Sequence, residues 1–292
     1  MMEIGSKYVG AEFREYKTEI AWRQTTNFAA ATNDANPCYL DDERPKGLVA
    51  PPMLAAALTW PVTERLKDFI RIDDFPAELL DYQVHYSESI EFYRLIRPND
   101  RLVIKGRVAA ILPHRAGTHF IIRYEAFDGQ GELVFTEFIG ALLRGVSCAD
   151  EGQSEDLPVT PQGPRPAEVL WEMPIFIDPL APYVYDGCTD IVFPVHTSPR
   201  FAHQVGLPGI IYQGTATLAL AAKELVNHEG GGDPGRLKAL SCRWTAMVRP
   251  GTEIRVRLVG TNQGQHGQNL FFVVLNADGD KAVSQGWALM AD

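Results

Sequence analysis

Asp190, His196 and Gly214 fall within one stretch, Tyr185 to Leu225, and their types suit proton transfer beside a carbonyl. A carboxylate and an imidazole on one loop can exchange protons at neutral pH once burial and mutual charge tune them. Gly214 stands where an apolar run enters a helix, so its backbone offers unpaired N–H groups and the positive end of the helix dipole. A glycine there lets a ligand carbonyl come close. An acid/base pair facing such a donor fits chemistry alpha to a carbonyl, where a developing enolate oxygen must be stabilised. The same residues admit a structural reading. An Asp before a turn caps a helix or bonds its own backbone, and a nearby His is then its satisfied partner.

The stretch predicts the elements that would position these groups. A turn-rich segment presents Asp190, Pro194 and His196. A short helix begins near Thr197-Ser198-Pro199 and runs through Phe201-Ala202. Gly206-Leu207-Pro208-Gly209 then breaks the chain, and a second helix starts at about Gln213-Gly214.

These residues resemble the hydratase-2 motif of MaoC-like enoyl-CoA hydratases and dehydratases. That motif runs Asp, Asn-Pro-x-His, a short helix, Gly-Phe/Leu-Pro, then His-Gly opening a long buried helix. Asp190, Pro194, His196, Gly206, Leu207, Pro208 and Gly214 match it. Three positions depart from it. The step from Asp190 to His196 is one residue longer than the commonest form, Phe193 replaces Asn, and Gln213 replaces the His before Gly214.

The composition sets bounds. A chain of 292 residues holds one large domain or two ordinary ones. With 46% hydrophobic and 22% charged residues it is globular in kind. A net charge of -10 argues against a general nucleic-acid binder. No apolar run approaches the ~20 residues of a membrane span. The N-terminal stretch carries acids and lacks an apolar signal core, unlike a secretory or transit peptide. Cys38, Cys148, Cys188 and Cys242 are widely spaced, which reads as reduced thiols in a cytoplasmic protein. No motif of a cysteine enzyme surrounds Cys188. His85, His114, His119, His203, His228 and His266 show no metal-ligand spacing.

In chain order, Ile20 to Thr32 predicts a helix ended by Asn33-Asp34-Ala35-Asn36-Pro37. A second helix, MLAAALTW from Met53, should end or kink at Pro61 and resume near Thr63. Strands are predicted over Gln83 to Ile96, Arg101 to Ile111, Thr118 to Phe127 and Glu132 to Arg144. The segment Ser147 to Pro166 is acidic and Pro-rich. It reads as a linker unable to bury enough surface to offset its ordering entropy. Further strands are predicted over Leu237 to Val248, Glu253 to Val259, Asn269 to Leu275 and Ala282 to Met290.

The second half repeats the first. Asp34, Pro37 and Tyr39 answer to Asp190, Pro194 and His196, and Arg97-Pro98 answers to Arg249-Pro250. The expected architecture is therefore α+β, a tandem double hotdog, each repeat a long helix wrapped by an antiparallel sheet. Its parts are an N-terminal repeat over 1–146, a linker over 147–166 and a catalytic repeat over 167–292. A phenol is a poor base at neutral pH, so with Tyr39 in place of His the first half keeps the shape and loses the chemistry.

The resemblance implies an (R)-specific enoyl-CoA hydratase or 3-hydroxyacyl-CoA dehydratase that needs no metal or redox cofactor. It implies a CoA or acyl-carrier-protein thioester as substrate, and a homodimer or free-standing pseudo-dimer as assembly. Asp190 and His196 would handle protons, and the Gly214 N–H would hold the thioester oxygen. Phe193, Gln213, Thr215, Tyr39 and Arg243 would contact the substrate, with Phe193 narrowing or drying the site. Two other readings fit the same fold: an acyl-CoA thioesterase, and a catalytically silent acyl-CoA binding subunit.

Overall fold

The computed structural model describes residues 2–165 and 167–292. The first half holds β1 (Glu3–Ile4), β2 (Tyr16–Glu19), α1 (Trp22–Ala31), α2 (Pro37–Leu40), α3 (Leu54–Glu64) and α4 (Leu66–Phe69). Four long strands follow: β3 (Gln83–Phe92), β4 (Arg101–His114), β5 (Gly117–Phe127) and β6 (Leu133–Arg144). The connector carries β7 (Ser147–Cys148) and β8 (Gln153–Ser154). The second half holds β9 (Trp171–Phe176), α5 (Ala181–Thr189), α6 (Pro199–Gln204) and α7 (Gly214–His228). It ends with β10 (Leu237–Trp244), β11 (Glu253–Gly264), β12 (Gly267–Leu275) and β13 (Lys281–Met290).

One sheet unites both halves, in the order β2-β4-β5-β6-β3-β10-β13-β12-β11-β9, with β8 added on β4. The order is a palindrome of corresponding strands, which is the tandem hotdog expected from the repeat. Its centre is the antiparallel pair β3–β10, where Ser89 faces Ser241, Ile90 faces Leu240 and Glu88 faces Cys242. Ser89 and Ser241 are separated by the same 152 positions as Arg97 and Arg249 (241 minus 89; 249 minus 97), so the pseudo-twofold axis passes through that serine pair. The helices α3 and α7 are apolar nearly all round, as helices enclosed by a sheet must be. Their buried faces join one core that runs through both halves.

Three expectations need correction. Pro61 does not end the first-half helix: α3 continues through it to Glu64. A proline there loses its own N–H bond and crowds the carbonyl of Ala57, and burial of Leu58, Val62 and Leu66 on one side outweighs that cost. The segment before Asp190 is not a turn but the helix α5, packed on α1. The connector is ordered. Arg107 holds Glu155 at 2.6 Å and Asp156 at 2.8 Å, Asp150 accepts from Ser6, and Leu157 covers a small apolar patch of Ala109, Ala110 and Ile121. Ion pairs and one apolar anchor supply what its composition lacks; its last residue, Pro166, lies outside the described residues.

Candidate active site

His196 closes a single 3-10 turn, Pro194–His196, whose entry is fixed by the ring of Pro194. The half-buried imidazole places Nδ1 2.9 Å from the carbonyl oxygen of Ile211. A carbonyl can only accept, so Nδ1 donates and Nε2 keeps its lone pair, which is the tautomer of a base. Burial pulls the His196 pKa down to about 4, the Ile211 carbonyl opposes this, and His85 adds to it. The ring is therefore neutral near pH 7.

The start of α7 follows Ile211 by three residues and is not capped by a side chain. Gln213 is the extended residue before the helix, yet its amide turns away and donates to the Pro182 carbonyl at 2.8 Å. The first-turn N–H groups are thus left to a ligand rather than to Gln213. Trp244 closes the other side, its Nε1 donating to the Gly214 carbonyl at 3.0 Å. A Cβ on Gly214 would meet that indole at 3.0 Å, so any larger residue there requires the indole to give way.

The first half shows what has been lost in the twin site. The Ala50 N–H bonds the Ile96 carbonyl, as the Tyr212 N–H bonds that of Val248, each at 2.8 Å. This equivalence puts Pro52 where the second half has Gly214. Proline has no N–H to offer. Tyr39 stands where the second half has His196, as expected. The partner of Asp190 is Asn33 rather than Asp34. Both end a helix in the left-handed conformation, at φ 49° for Asn33 and 56° for Asp190. They share the 157-position separation of Pro37 and Pro194 (190 minus 33; 194 minus 37). Asn36 of the first half keeps the Asn of the motif and caps α2 through the Cys38 N–H at 3.1 Å.

The sequence-predicted residues divide. His196, Gly214 and Gln213 gather at the start of α7. Thr215 is buried there next to Tyr185. Phe193 is partly exposed, with its ring 6.3 Å from His196 and 5.9 Å from Phe201. Asp190 is exposed at the end of α5, and no hydrogen bond joins its carboxylate to His196 among the described residues. One turn earlier, Asp186 has a buried carboxylate oxygen without a partner, and burial followed by the charge of Asp190 pushes its pKa up. Tyr39 lies elsewhere, against the far half of α7 with Phe28, Met53 and Ala222. Arg243 is not at this site either. Strand alternation turns Trp244 inward and Arg243 outward, over the ring of Tyr86 and into a groove of about 690 Å³ between sheet and connector. The remaining arginines of that region are paired: Arg249 with Asp278, Arg255 with Glu253 and Arg257 with Glu172. The Cys188 thiol is pushed up by burial, which disfavours a thiolate.

Sequence reasoning missed a second polar group nearby. Glu88 and Glu137 are fully buried carboxyls on adjacent strands, and His85 lies beside them. A bulge in β3 between His85 and Ser87 puts His85 on the same face as Glu88 despite their three-residue spacing, which strict alternation hides. The His85 ring lies 4.0 Å from that of Trp244. Burial pushes Glu88 up to about 8, and burial with the charge of Glu88 pushes Glu137 well up.

These shifts set a pH dependence of stability. In the unfolded chain both carboxyls ionise above about pH 4.5, so the folded state holds more protons and stability falls as pH rises toward about 8. His85, His119 and His196, each held down to about 4 chiefly by burial, work the other way, but only up to their unfolded value. Above about pH 6.5 the carboxyl contribution stands alone. With two carboxyls involved, thermal melts should show a loss on the order of 4 kcal/mol between about pH 6.5 and pH 8. Glu88→Gln should remove about half of it; an equally steep profile in that variant would refute the assignment.

Comparison with known proteins agrees with this architecture. A FAS1-like dehydratase domain region profile matches residues 7–137, and a MaoC like domain profile matches residues 183–278. A UPF0336 protein of Streptomyces coelicolor is 31% identical over 138 residues, covering 45% of this chain and 88% of that one. The peroxisomal multifunctional enzyme type 2 of Mus musculus is 21% identical over 206 residues, 70% of this chain but 27% of that protein. The peroxisomal enoyl-CoA hydratase 2 of Arabidopsis thaliana is 26% identical over 179 residues, 58% of this chain and 57% of that one. In fold, a MaoC-like dehydratase from Phytophthora capsici superposes with a TM-score of 0.84 at 21% identity, covering 98% of each chain. A Mycobacterium tuberculosis protein described as a double hotdog fold gives 0.61 at 13% identity, over 96% of this chain and 95% of that one. Matched in sequence in both halves and in fold along nearly its whole length, this chain belongs to the MaoC-like dehydratase family in its double-hotdog form.

Proposed function

We propose that the protein is an (R)-specific enoyl-CoA hydratase, or in reverse a 3-hydroxyacyl-CoA dehydratase, acting on a CoA or acyl-carrier-protein thioester. The observation that carries this reading is the contrast between the halves: a neutral imidazole and an uncapped helix start at His196 and Gly214, against Tyr39 and Pro52. In this reading His196 Nε2, with Asp190, positions a water against the double bond. As the water adds to the β-carbon it gives up a proton to the pair. The electrons of the double bond move onto the thioester oxygen, held by the Gly214 N–H, and a proton returned to the α-carbon completes the addition. Asp190 meets the substrate side only in the complex, since catalytic hydrogen bonds are commonly loose in free enzymes.

The test uses crotonyl-CoA. Hydration removes the enoyl absorbance without releasing thiol, and thiol release instead would establish a thioesterase. Two observations favour a silent binding subunit: Phe193 takes the place of the motif Asn, and among the described residues no hydrogen bond joins the Asp190 carboxylate to His196. Acyl-CoA binding with no turnover of either kind would decide for that reading. Asp190→Asn is expected to lower hydration by ~10² or more. If Asp186→Asn carries the loss while Asp190→Asn does not, the carboxylate role moves to Asp186. Tyr39→Phe should leave kcat within about threefold, its hydroxyl being remote from the reacting atoms.

A further inference from the structure

The cluster around Glu88 is unlike a solved core. Glu88 and Glu137 are buried within reach of each other, and two protonated acids there can share a hydrogen bond while other carboxyl oxygens stay without a partner. His85 Nε2 stands 3.0 Å from Glu88 Oε2, where a protonated Glu88 can donate to it. The phenol of Tyr185, wholly buried beside Thr215, is close enough to Glu88 to feel its charge, and Oε1 of buried Gln213 lacks a partner. Unpaired polar atoms in a core are costly, by ~1–3 kcal/mol each. Several converging on one place mark a site built for something polar.

The cluster lies where an acyl chain held at Gly214 would run. Trp244 bonds Gly214 on one side and packs on His85 on the other. From His85 the polar row crosses the first-half sheet through Glu88 to Glu137 and to Tyr124, which faces Glu137 across β5 and β6 and bonds Thr63 of α3. Among the described residues the second half shows no such row. Leu240 takes the position of Glu88, each nine residues before its arginine (97 minus 88; 249 minus 240).

Resting on the hydratase reading, we infer that His85, Glu88 and Glu137 form a polar end to the acyl pocket and select acyl thioesters carrying a hydroxyl on the chain. A hydroxyl donates to one carboxyl oxygen and accepts from another group, which suits a dry cluster of protonated acids and a neutral ring. A terminal carboxylate does not suit it. The arginines of the adjoining strands, Arg123 and Arg243, lie with the outer-face residues Phe138 and Tyr86, so no guanidinium reaches in to balance the charge.

The test is binding and turnover together. Affinities of ω-hydroxybutyryl-, ω-hydroxyhexanoyl- and ω-hydroxyoctanoyl-CoA are measured by calorimetry against the unsubstituted parents and against succinyl- and adipyl-CoA. Hydration of crotonyl-CoA is followed in parallel. At least one hydroxylated thioester should bind about tenfold more tightly than its parent, the worth of one well-made hydrogen bond in a dry site. Glu137→Leu and Glu88→Gln should each erase that preference and spare binding of the parent. Equal affinities across every pair in the wild type, a stronger preference for the carboxylates, or a preference that both variants retain would each overturn the inference. A hydroxyl preference without crotonyl-CoA hydration would sink the hydratase reading alone, and hydration without the preference would sink this one alone.

Discussion

Alanine in place of His196 is expected to lower kcat for enoyl-thioester hydration by ~10²–10⁴, the span typical of a lost general acid/base. The geometry says why no neighbour would take over. The imidazole is held by the Ile211 carbonyl at 2.9 Å, and its lone pair is oriented by that bond alone. His85, the other ring nearby, is committed to packing on Trp244. Binding of a saturated acyl-CoA should be little changed, so the loss belongs to kcat rather than KM. Retention of a wild-type rate by His196→Ala would exclude the proposed chemistry. His196→Gln offers a finer reading. It can still bond a carbonyl but cannot take up a proton, so it should remain as slow as the alanine variant.

The second large effect concerns a backbone atom. Gly214→Pro deletes one N–H while leaving a residue that the first position of a helix accepts. The protein already carries Pro52 at the equivalent place in its first half. Loss of one oxyanion donor costs ~10²–10³ in rate, and Gly214→Pro should show it. Gly214→Ala is the control, since it keeps the N–H and adds only the Cβ that meets Trp244 at 3.0 Å. A slide of a few tenths of an ångström by the indole relieves that contact, so the alanine variant should lose no more than about tenfold. Equal losses in both variants would mean that crowding against Trp244, not the missing donor, governs the rate.

Much of the fold was legible because its signals are local. The strand predictions matched to within a few residues because β-branched and aromatic runs bounded by turn residues specify a pleated, half-buried segment. The duplication was legible because the Pro37 and Pro194 segments and the Arg-Pro turns recur in order. The edge strands β2 and β9 were missed because they are short and pair on one side only. The helix α5 was missed because the turn-prone residues at its end mask an ordinary helical run from Ala181. Of the candidate site, His196 and Gly214 were legible as neighbours because the backbone that places each is local in sequence. Arg243 was misjudged because a single strand position decides which side of the sheet a charge faces. Glu88, Glu137 and His85 were invisible to pattern. A bulge shifts the register between two of them, and the third comes from a strand whose pairing no short window reveals.

The serine pair at the centre of the sheet has a consequence for how such a protein can change. Two identical subunits meeting along such a strand pair would receive every mutation twice, once on each side of the joint sheet. Here the two sides are encoded separately. A carboxyl can be set at Glu88 while Leu240 stays greasy, and a donor can be deleted at Pro52 while Gly214 keeps its own. Carrying both halves in one chain has therefore released the two sides of the sheet from the obligation to match, so one side can change without altering the other.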